Sequence, residues 1–264
     1  NISSQYITGL LLALPILDGD SKIVLTTQLQ SKPYVDMTIK VMGDFGVTVE
    51  EKPYGYFVRG NQKYITRDYT VESDWSQAAF FLVAGAINGD ITLKGLDLNS
   101  AQGDKKIVDA LKQFGADIEI SENEIRCKKS SLKGIDIDVS DIPDTVPSLA
   151  VAAAFAQGTT VIRGGERLRL KESDRIESVV TNLKRMGVNV EEKPDGMVIA
   201  GGGARGAELL GFNDHRIPMA FSVAALEAQG KTIITDAQSI NKTYPTFFDD
   251  YNSLGGKADV ICDL

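Results

Sequence analysis

The chain has 264 residues, 43% of them hydrophobic and 24% charged, enough apolar material over one or two domains' length to bury a core without staples, so disordered and collagen-like chains are excluded. Lys+Arg number 28 against 36 Asp+Glu, a net charge of −8; no global basic field holds nucleic acid or an anionic membrane surface, and any anionic ligand must be held by a local cluster. The two cysteines, Cys127 and Cys262, form no C-x-x-C, which argues against a disulfide framework or structural zinc and suits a reducing, cytoplasmic setting.

The first apolar stretch, Tyr6 to Leu17, is 12 residues long, too short to span a bilayer, and reads as a buried helix introduced by Ser4. A strand follows at Ile23-Val24-Leu25, then an amphipathic helix with Val35, Ile39 and Met42 on one face, closed by Gly46 in the position after the helix where a left-handed residue is wanted. Alternation at Val47–Glu50 and Tyr56–Val58 predicts two strands. This succession then recurs. The helix-closing glycines are 46, 115, 187 and 255, in steps of 69, 72 and 68, and the residues introducing the small-residue-rich helices are Ser4, Asp74, Asp144 and Asp214, in steps of 70. Strands are predicted at Ile91–Leu93, Ala116–Ile120, Glu124–Arg126, Thr160–Ile162, Met197–Ala200 and Thr232–Ile234. One unit of roughly 70 residues reads strand, buried helix, strand, amphipathic helix, strand, strand, an α/β pattern. The first unit lacks its leading strand and the last has one closing strand, Ala258–Ile261, where the others have two. The chain is therefore read as a piece of a larger protein that is missing N-terminal material.

Unusual polar residues collect where helices begin, and helix N-termini are anion sites. In Arg167-Leu168-Arg169-Leu170-Lys171-Glu172-Ser173-Asp174-Arg175, strand alternation puts Arg167, Arg169 and Lys171 on one face, and Asp174 with Glu177 makes a capping box. Two readings stand: a solvated turn neutralised by Glu166, Glu172, Asp174 and Glu177, or a cation cluster completed by an external anion. Asp214-His215-Arg216 opens the last buried helix and contains the only histidine; a cation there is expensive without a counter-ion. Lys242 and Ser31-Lys32-Pro33-Tyr34 open amphipathic helices, and Ser3-Ser4-Gln5 offers hydroxyls and an amide. Asp144 lies between Pro143 and Pro147, a rigid mount for a base, although capping also explains it. Gly201-Gly202-Gly203-Ala204-Arg205-Gly206 matches G-x-G-x-x-G, but Gly211 and Asn213 intervene before the next helix, so it reads as a loop joining two units and not a dinucleotide site.

Ser3-Ser4-Gln5, Ser31-Lys32-Pro33-Tyr34, Ile142-Pro143-Asp144, Lys171-Glu172-Ser173-Asp174-Arg175, Asp214-His215-Arg216 and Lys242-Thr243-Tyr244-Pro245 resemble the motifs of the enolpyruvyl transferase superfamily, in that superfamily's order and most closely as in the 3-phosphoshikimate 1-carboxyvinyltransferases (EPSP synthases). The resemblance implies inside-out α/β barrel domains of three units each, with substrates in the cleft between them. It implies that this chain is the C-terminal three-fifths of such a protein: 1–71 the last unit of an otherwise missing domain, 72–264 most of a second.

Carried over, Ser3, Ser4, Gln5, Ser31, Asp144 and Lys171 would hold shikimate 3-phosphate, and Gln5, Arg175, Arg216 and Lys242 phosphoenolpyruvate. Asp144 would take the proton of the attacking 5-hydroxyl and Glu172 would protonate the methylene carbon. Addition and elimination through a tetrahedral ketal need an acid and a base but no metal and no redox cofactor. Arg167, where many members have a neutral or acidic residue, receives no substrate contact, and His215 no role. The missing N-terminal part is the expected partner, without which these residues would bind weakly and not turn over. Rival readings are a UDP-N-acetylglucosamine enolpyruvyl transferase-like enzyme, an RNA 3′-phosphate cyclase-like relative, and a non-catalytic substrate-binding half.

Overall fold

The structure, a computed structural model, describes residues 4–27, 29, 31–122, 124–259 and 261; Ser3 and Cys262 lie outside the described residues. Its elements are α1 (Gln5–Ala13), β1 (Ser21–Val24), α2 (Lys32–Asp44), β2 (Val49–Lys52), β3 (Gly55–Val58), α3 (Trp75–Asn88), β4 (Asp90–Lys94), α4 (Ile107–Gln113), β5 (Asp117–Ile120), β6 (Glu124–Lys128), β7 (Asp136–Asp138), α5 (Val146–Phe155), β8 (Thr159–Arg163), α6 (Arg175–Arg185), β9 (Asn189–Lys193), β10 (Gly196–Ala200), β11 (Glu208–Leu209), α7 (Arg216–Ala225), β12 (Ile233–Ile234) and α8 (Phe247–Ser253). The fold is mixed α/β, and the repeat is visible in the sheets: β1-β3-β2, β4-β6-β5 and β8-β10-β9 share one antiparallel order. Two leading strands, to which the sequence reading gave a place in the unit but no residues, are β7 and β11; they pair in parallel with β8 and β12, each pair bridged by a buried helix as a parallel connection requires. The glycines that close the amphipathic helices all have positive φ, 82°, 91°, 80° and 99° at Gly46, Gly115, Gly187 and Gly255.

Helices α3, α5 and α7 pack against one another and carry almost no polar side chains beyond their first turns. Val146 to Ala154 of α5 are all buried, as a helix without a polar face must be. The amphipathic helices and sheets wrap this trio, and α8 is anchored by Phe247 against Phe80, Phe81 and Tyr244. A separate, smaller apolar cluster holds α1, α2 and the first sheet around Leu11, Val35, Met42, Tyr56 and Val58. Between the two, residues 61–74 form no regular structure and lie along α2's end, with Ile65 N–H donating to the Phe45 carbonyl at 2.8 Å. Among the described residues no helix is long and apolar enough to cross a membrane, and no group of His, Cys, Asp or Glu is placed to hold a metal.

Four expectations need correction. Helix α1 is not a buried helix like the others: only Leu11 is buried, while Tyr6, Leu10 and Leu12 are 69%, 49% and 47% exposed, because α3, α5 and α7 cover one another whereas α1 packs mainly on α2. Of the residues introducing these helices, Asp74 caps, its Oδ1 accepting from the N–H groups of Ser76 and Gln77 at 2.7 and 3.3 Å, but Ser4 makes no capping bond and Asp144 stands one residue outside α5's cap. Arg167 to Lys171 is not a strand. Glu166–Leu170 is a 3-10 turn that drives Leu168 into the core and leaves Leu170 66% exposed, so Arg167 and Arg169 diverge. Of the expected strand 258–261, Ala258, Asp259 and Ile261 are in no strand and Val260 lies outside the described residues; the backbone of Ala258 bonds to the Asn252 side chain at 2.8 and 3.0 Å.

Because only one of these two N-terminal residues caps its helix, Asp74→Ala is expected to lower stability by about 1 kcal/mol, and Ser4→Ala to leave it within about 0.5 kcal/mol. Urea midpoints at unchanged slope measure both.

Candidate functional site

Asp144 collects three cations from two separate parts of the chain. The prolines at 143 and 147 hold the turn before α5, and the carboxylate leaves that turn instead of capping it. Its Oδ1 lies 2.7 Å from Arg175 Nη1 and 3.2 Å from Lys171 Nζ, and its Oδ2 3.4 Å from Arg216 Nη2. Arg175 and Arg216 are the first residues of α6 and α7, where the helix dipole disfavours a cation, and they are 1% and 6% exposed. Carboxylates make both tenable. Arg175 donates to Asp214 Oδ2 through Nε at 2.8 Å, to Asp214 Oδ1 and Glu172 Oε2 through Nη2 at 3.3 and 2.6 Å, and to Asp144. Asp214, fully buried, also accepts from the Ser173 hydroxyl and the Arg216 N–H, each at 3.0 Å.

These pairings set the protonation states. Burial alone would raise the Asp144 carboxyl, but the charges of Arg216, Lys171 and Arg175 hold it well below the usual carboxylate range. Burial opposes ionisation of Asp214 as well, and its bond to Arg175 overcomes it. Burial and the charge of Arg216 push His215 down, so it is neutral, with Nδ1 at 3.8 Å from Asp214 Oδ1.

The first unit meets this cluster from the other side. Ser31, buried and left-handed at φ 53°, precedes α2 without capping it, and its hydroxyl accepts from Arg167 Nη1 at 2.9 Å. Three residues on, the Tyr34 hydroxyl donates to Asp104 at 2.7 Å, and the charges of Asp144 and Arg216 act on it. Ser4 is buried and Gln5 exposed at the start of α1.

Of the sequence-predicted residues the structure therefore brings together Asp144, Lys171, Glu172, Arg175 and Arg216. Arg175 is wholly committed to the protein's own carboxylates, so a ligand bond from it requires one of them to leave. Lys242 stays outside the ion pairs and donates to the backbone and side-chain oxygens of Asn213, beside Asp214. Of the four cations read as converging, Arg169 turns away to Asp174, Glu192 and the carbonyls of Lys193 and Pro194. Asp174 does cap α6, accepting from the N–H groups of Ile176 and Glu177 at 3.1 and 3.0 Å. Sequence reasoning missed Tyr34 and Asp104 as partners, and it missed Ser76, whose hydroxyl accepts from Arg216 Nη2 at 3.0 Å. Only the Ser31–Tyr34 motif gave a signal for any of them. The glycine-rich segment 201–206 is a loop, as read.

Nε and Nη1 of Arg216 are buried and have no hydrogen-bond partner among the described residues. Donors held open in this way, next to an ionised carboxylate, suit an arriving anion and a proton transfer at one place.

The enolpyruvyl transferase NikO from Streptomyces tendae superposes with a TM-score of 0.75 over 92% of this chain and 57% of its own. At 19% identity this defines the fold class. EPSP synthase from Acinetobacter baumannii superposes with a TM-score of 0.85 at 31% identity, over 97% of this chain and 61% of its own. Residues 1–251 match the family model of EPSP synthase (3-phosphoshikimate 1-carboxyvinyltransferase), and the chain belongs to that family. Proteins named 3-phosphoshikimate 1-carboxyvinyltransferase from Clostridium novyi and Methanocaldococcus jannaschii are 46% identical over 261 residues and 45% identical over 263, each match covering 98% of this chain. The chain spans 60% and 61% of the length of these two relatives.

Removing Arg175 leaves Asp214 and Asp144 buried and less compensated, so Arg175→Met is expected to cost about 3–5 kcal/mol, read from urea unfolding. Asp104 has the opposite sign of pH dependence from a paired carboxylate. Burial and then the Asp144 charge, with a further push from Asp74, raise it from 3.8 to about 6 against the Tyr34 bond and Arg216. The folded protein thus holds this proton more tightly than the unfolded chain, and stability falls as pH rises from about 4 through about 6. Asp104→Asn has no proton to lose. Its melting temperature relative to the parent should climb by a few degrees, roughly, across that window in calorimetry, whereas a constant difference would contradict the shift.

Proposed function

We propose that the chain, at its full natural length, transfers the enolpyruvyl group of phosphoenolpyruvate to the 5-hydroxyl of shikimate 3-phosphate and releases phosphate, in the cytoplasm. The observation that carries this reading is the Asp144 carboxylate, ionised and ringed by Lys171, Arg175 and Arg216. Family membership and the names of the relatives favour it over the UDP-N-acetylglucosamine alternative.

In this reading Ser3, Ser4, Gln5 and Ser31 hold shikimate 3-phosphate with Lys171, and Arg216, Lys242, Gln5 and Arg175 receive phosphoenolpyruvate. Two anions entering the cluster compete with Asp144 for its cations. As Lys171 and Arg216 turn to the ligands, the carboxylate loses the charges that hold its pKa down and gains basicity where it is needed. It takes the proton of the 5-hydroxyl as that oxygen bonds to the carbon bearing the phosphate. Glu172, 43% exposed on its side chain and 2.6 Å from Arg175, takes up a proton from solvent and gives it to the methylene carbon, giving a ketal. Elimination breaks the bond to phosphate and returns the methyl proton to a carboxylate, leaving the enol ether. We also propose the finer architecture: inside-out barrel domains, with 1–71 in one and 72–264 in the other, and a cleft between them completed by the part of the relatives that this chain does not span. The 264 residues alone then bind shikimate 3-phosphate weakly and do not turn over.

Phosphate release tests the reading. The protein at full natural length is expected to release phosphate only with both substrates present, and Asp144→Asn to lower kcat by about 10²–10⁴-fold without weakening phosphoenolpyruvate binding, since it removes a negative charge. An unchanged kcat in Asp144→Asn refutes the assignment of the base.

A further inference from the structure

A buried carboxylate with no part in the proposed reaction lies against the cluster. Asp104 is 2% exposed; its Oδ2 accepts the Tyr34 hydroxyl at 2.7 Å, and its Oδ1 is buried without a hydrogen-bond partner among the described residues. The segment carrying it is clamped on three sides. Gln102 accepts from the Trp75 N–H at 2.9 Å and donates to the Ser73 carbonyl at 2.8 Å, tying it to the start of α3. Gly103 sits so close to its neighbours that a Cβ there would come within 2.8 Å of the Asp141 carbonyl and 3.0 Å of Pro33 Cβ. Asp104 is thus wedged between the start of α2, the start of α3 and the loop that leads to Asp144.

A phenol has one proton to give. While Asp104 takes it, the Tyr34 oxygen can only accept on its other side. The charged groups acting on Tyr34 are Asp144, Asp104 and Arg216, with Arg167 also facing it; those acting on Asp104 are Asp144, Arg216 and Asp74. Of these groups the cations can only donate, whereas Asp144 and the Tyr34 oxygen can accept from a hydroxylated ligand. Because the Asp144 charge acts on the phenol, a Tyr34 proton not held by Asp104 would be drawn towards that carboxylate, in competition with the reacting hydroxyl.

We propose that Asp104 is a positioning residue that binds the Tyr34 proton, so that the phenol oxygen faces the substrate as an acceptor and Asp144 stays open to the hydroxyl it deprotonates. The inference rests on the reaction proposed above. Leaving the other oxygen of this buried acid unpaired is costly, and burial with the charges of Asp144 and Asp74 already pushes the group up, so packing alone does not explain why the acceptor for Tyr34 is placed here.

Steady-state kinetics at full natural length, with melting curves in parallel, test it. Asp104→Ala is expected to lower kcat and raise the KM for shikimate 3-phosphate, about tenfold in kcat/KM, and to leave the KM for phosphoenolpyruvate within about twofold. Combined with Tyr34→Phe it should do no more than Tyr34→Phe alone, because Asp104 acts only through that hydroxyl. Asp104→Asn, whose carboxamide oxygen still accepts, should retain most of the activity. Wild-type constants in Asp104→Ala, or a double variant that loses the product of the two single losses, overturn the proposal. Should Asp104→Ala fail to fold, Asp104→Asn still decides, and a loss of about tenfold in it is an overturning result. A parent protein that releases no phosphate counts against the proposed reaction itself, a distinct outcome.

Discussion

A buried arginine at the N-terminal end of a helix is tolerated only where carboxylates surround it. Two such arginines, Arg175 and Arg216, begin α6 and α7, and much of the architecture around the site follows from compensating them. Asp214 is spent on Arg175. Asp144 serves Arg175, Arg216 and Lys171 together, and it does so from a turn that two prolines keep from winding into α5. Taking charges out of water costs several kcal/mol per ion unless each is paired and hydrogen-bonded. The network therefore links the starts of α5, α6 and α7, and removing one of its members leaves an uncompensated buried charge.

The repeat explains how the cluster arose in one place and why its members differ. Residues 74, 144 and 214 occupy equivalent positions ahead of three mutually packed helices, and all three are aspartates. One caps its helix, one gathers cations, and one pins an arginine. Asp74 and Asp214 accept from backbone N–H groups at the start of their own helices, whereas Asp144 turns to side chains, among them Arg216 from another unit. The site depends on this asymmetry. Three identical caps would leave no ionised carboxylate free to exchange its cations for a ligand.

Much of the fold was legible because its signals are local. A glycine after an amphipathic stripe marks a left-handed residue whatever the tertiary context, and the four at 46, 115, 187 and 255 all have positive φ. The leading strands β7 and β11 were legible only as a place in the repeat, since Asp136–Asp138 and Glu208–Leu209 are too short to be located by alternation. The exposure of α1 was equally hidden: its composition matches α3, but burial is a property of neighbours. In the site, Lys171, Arg175 and Arg216 stood out because cations at helix starts are anomalous in sequence, and Asp144 because Pro143 and Pro147 flank it. Tyr34 and Asp104, 70 residues apart, look like an ordinary turn of a helix and an ordinary loop acid, and only their meeting in space gives them meaning. Arg169 failed in the opposite sense, since a 3-10 turn rotated it towards Asp174 and Glu192.

The most direct measurement of the central claim is the titration of the Asp144 carboxyl carbon by NMR, assigned by comparison with Asp144→Asn. If three cations surround this group, its resonance keeps the ionised shift well below the pH at which ordinary aspartates protonate, and it moves towards the ordinary range when Arg216 is replaced by methionine. A carboxyl that titrates near 3.8 or above in the parent protein would mean that the cations do not gather there, and the account of the site would fail with it.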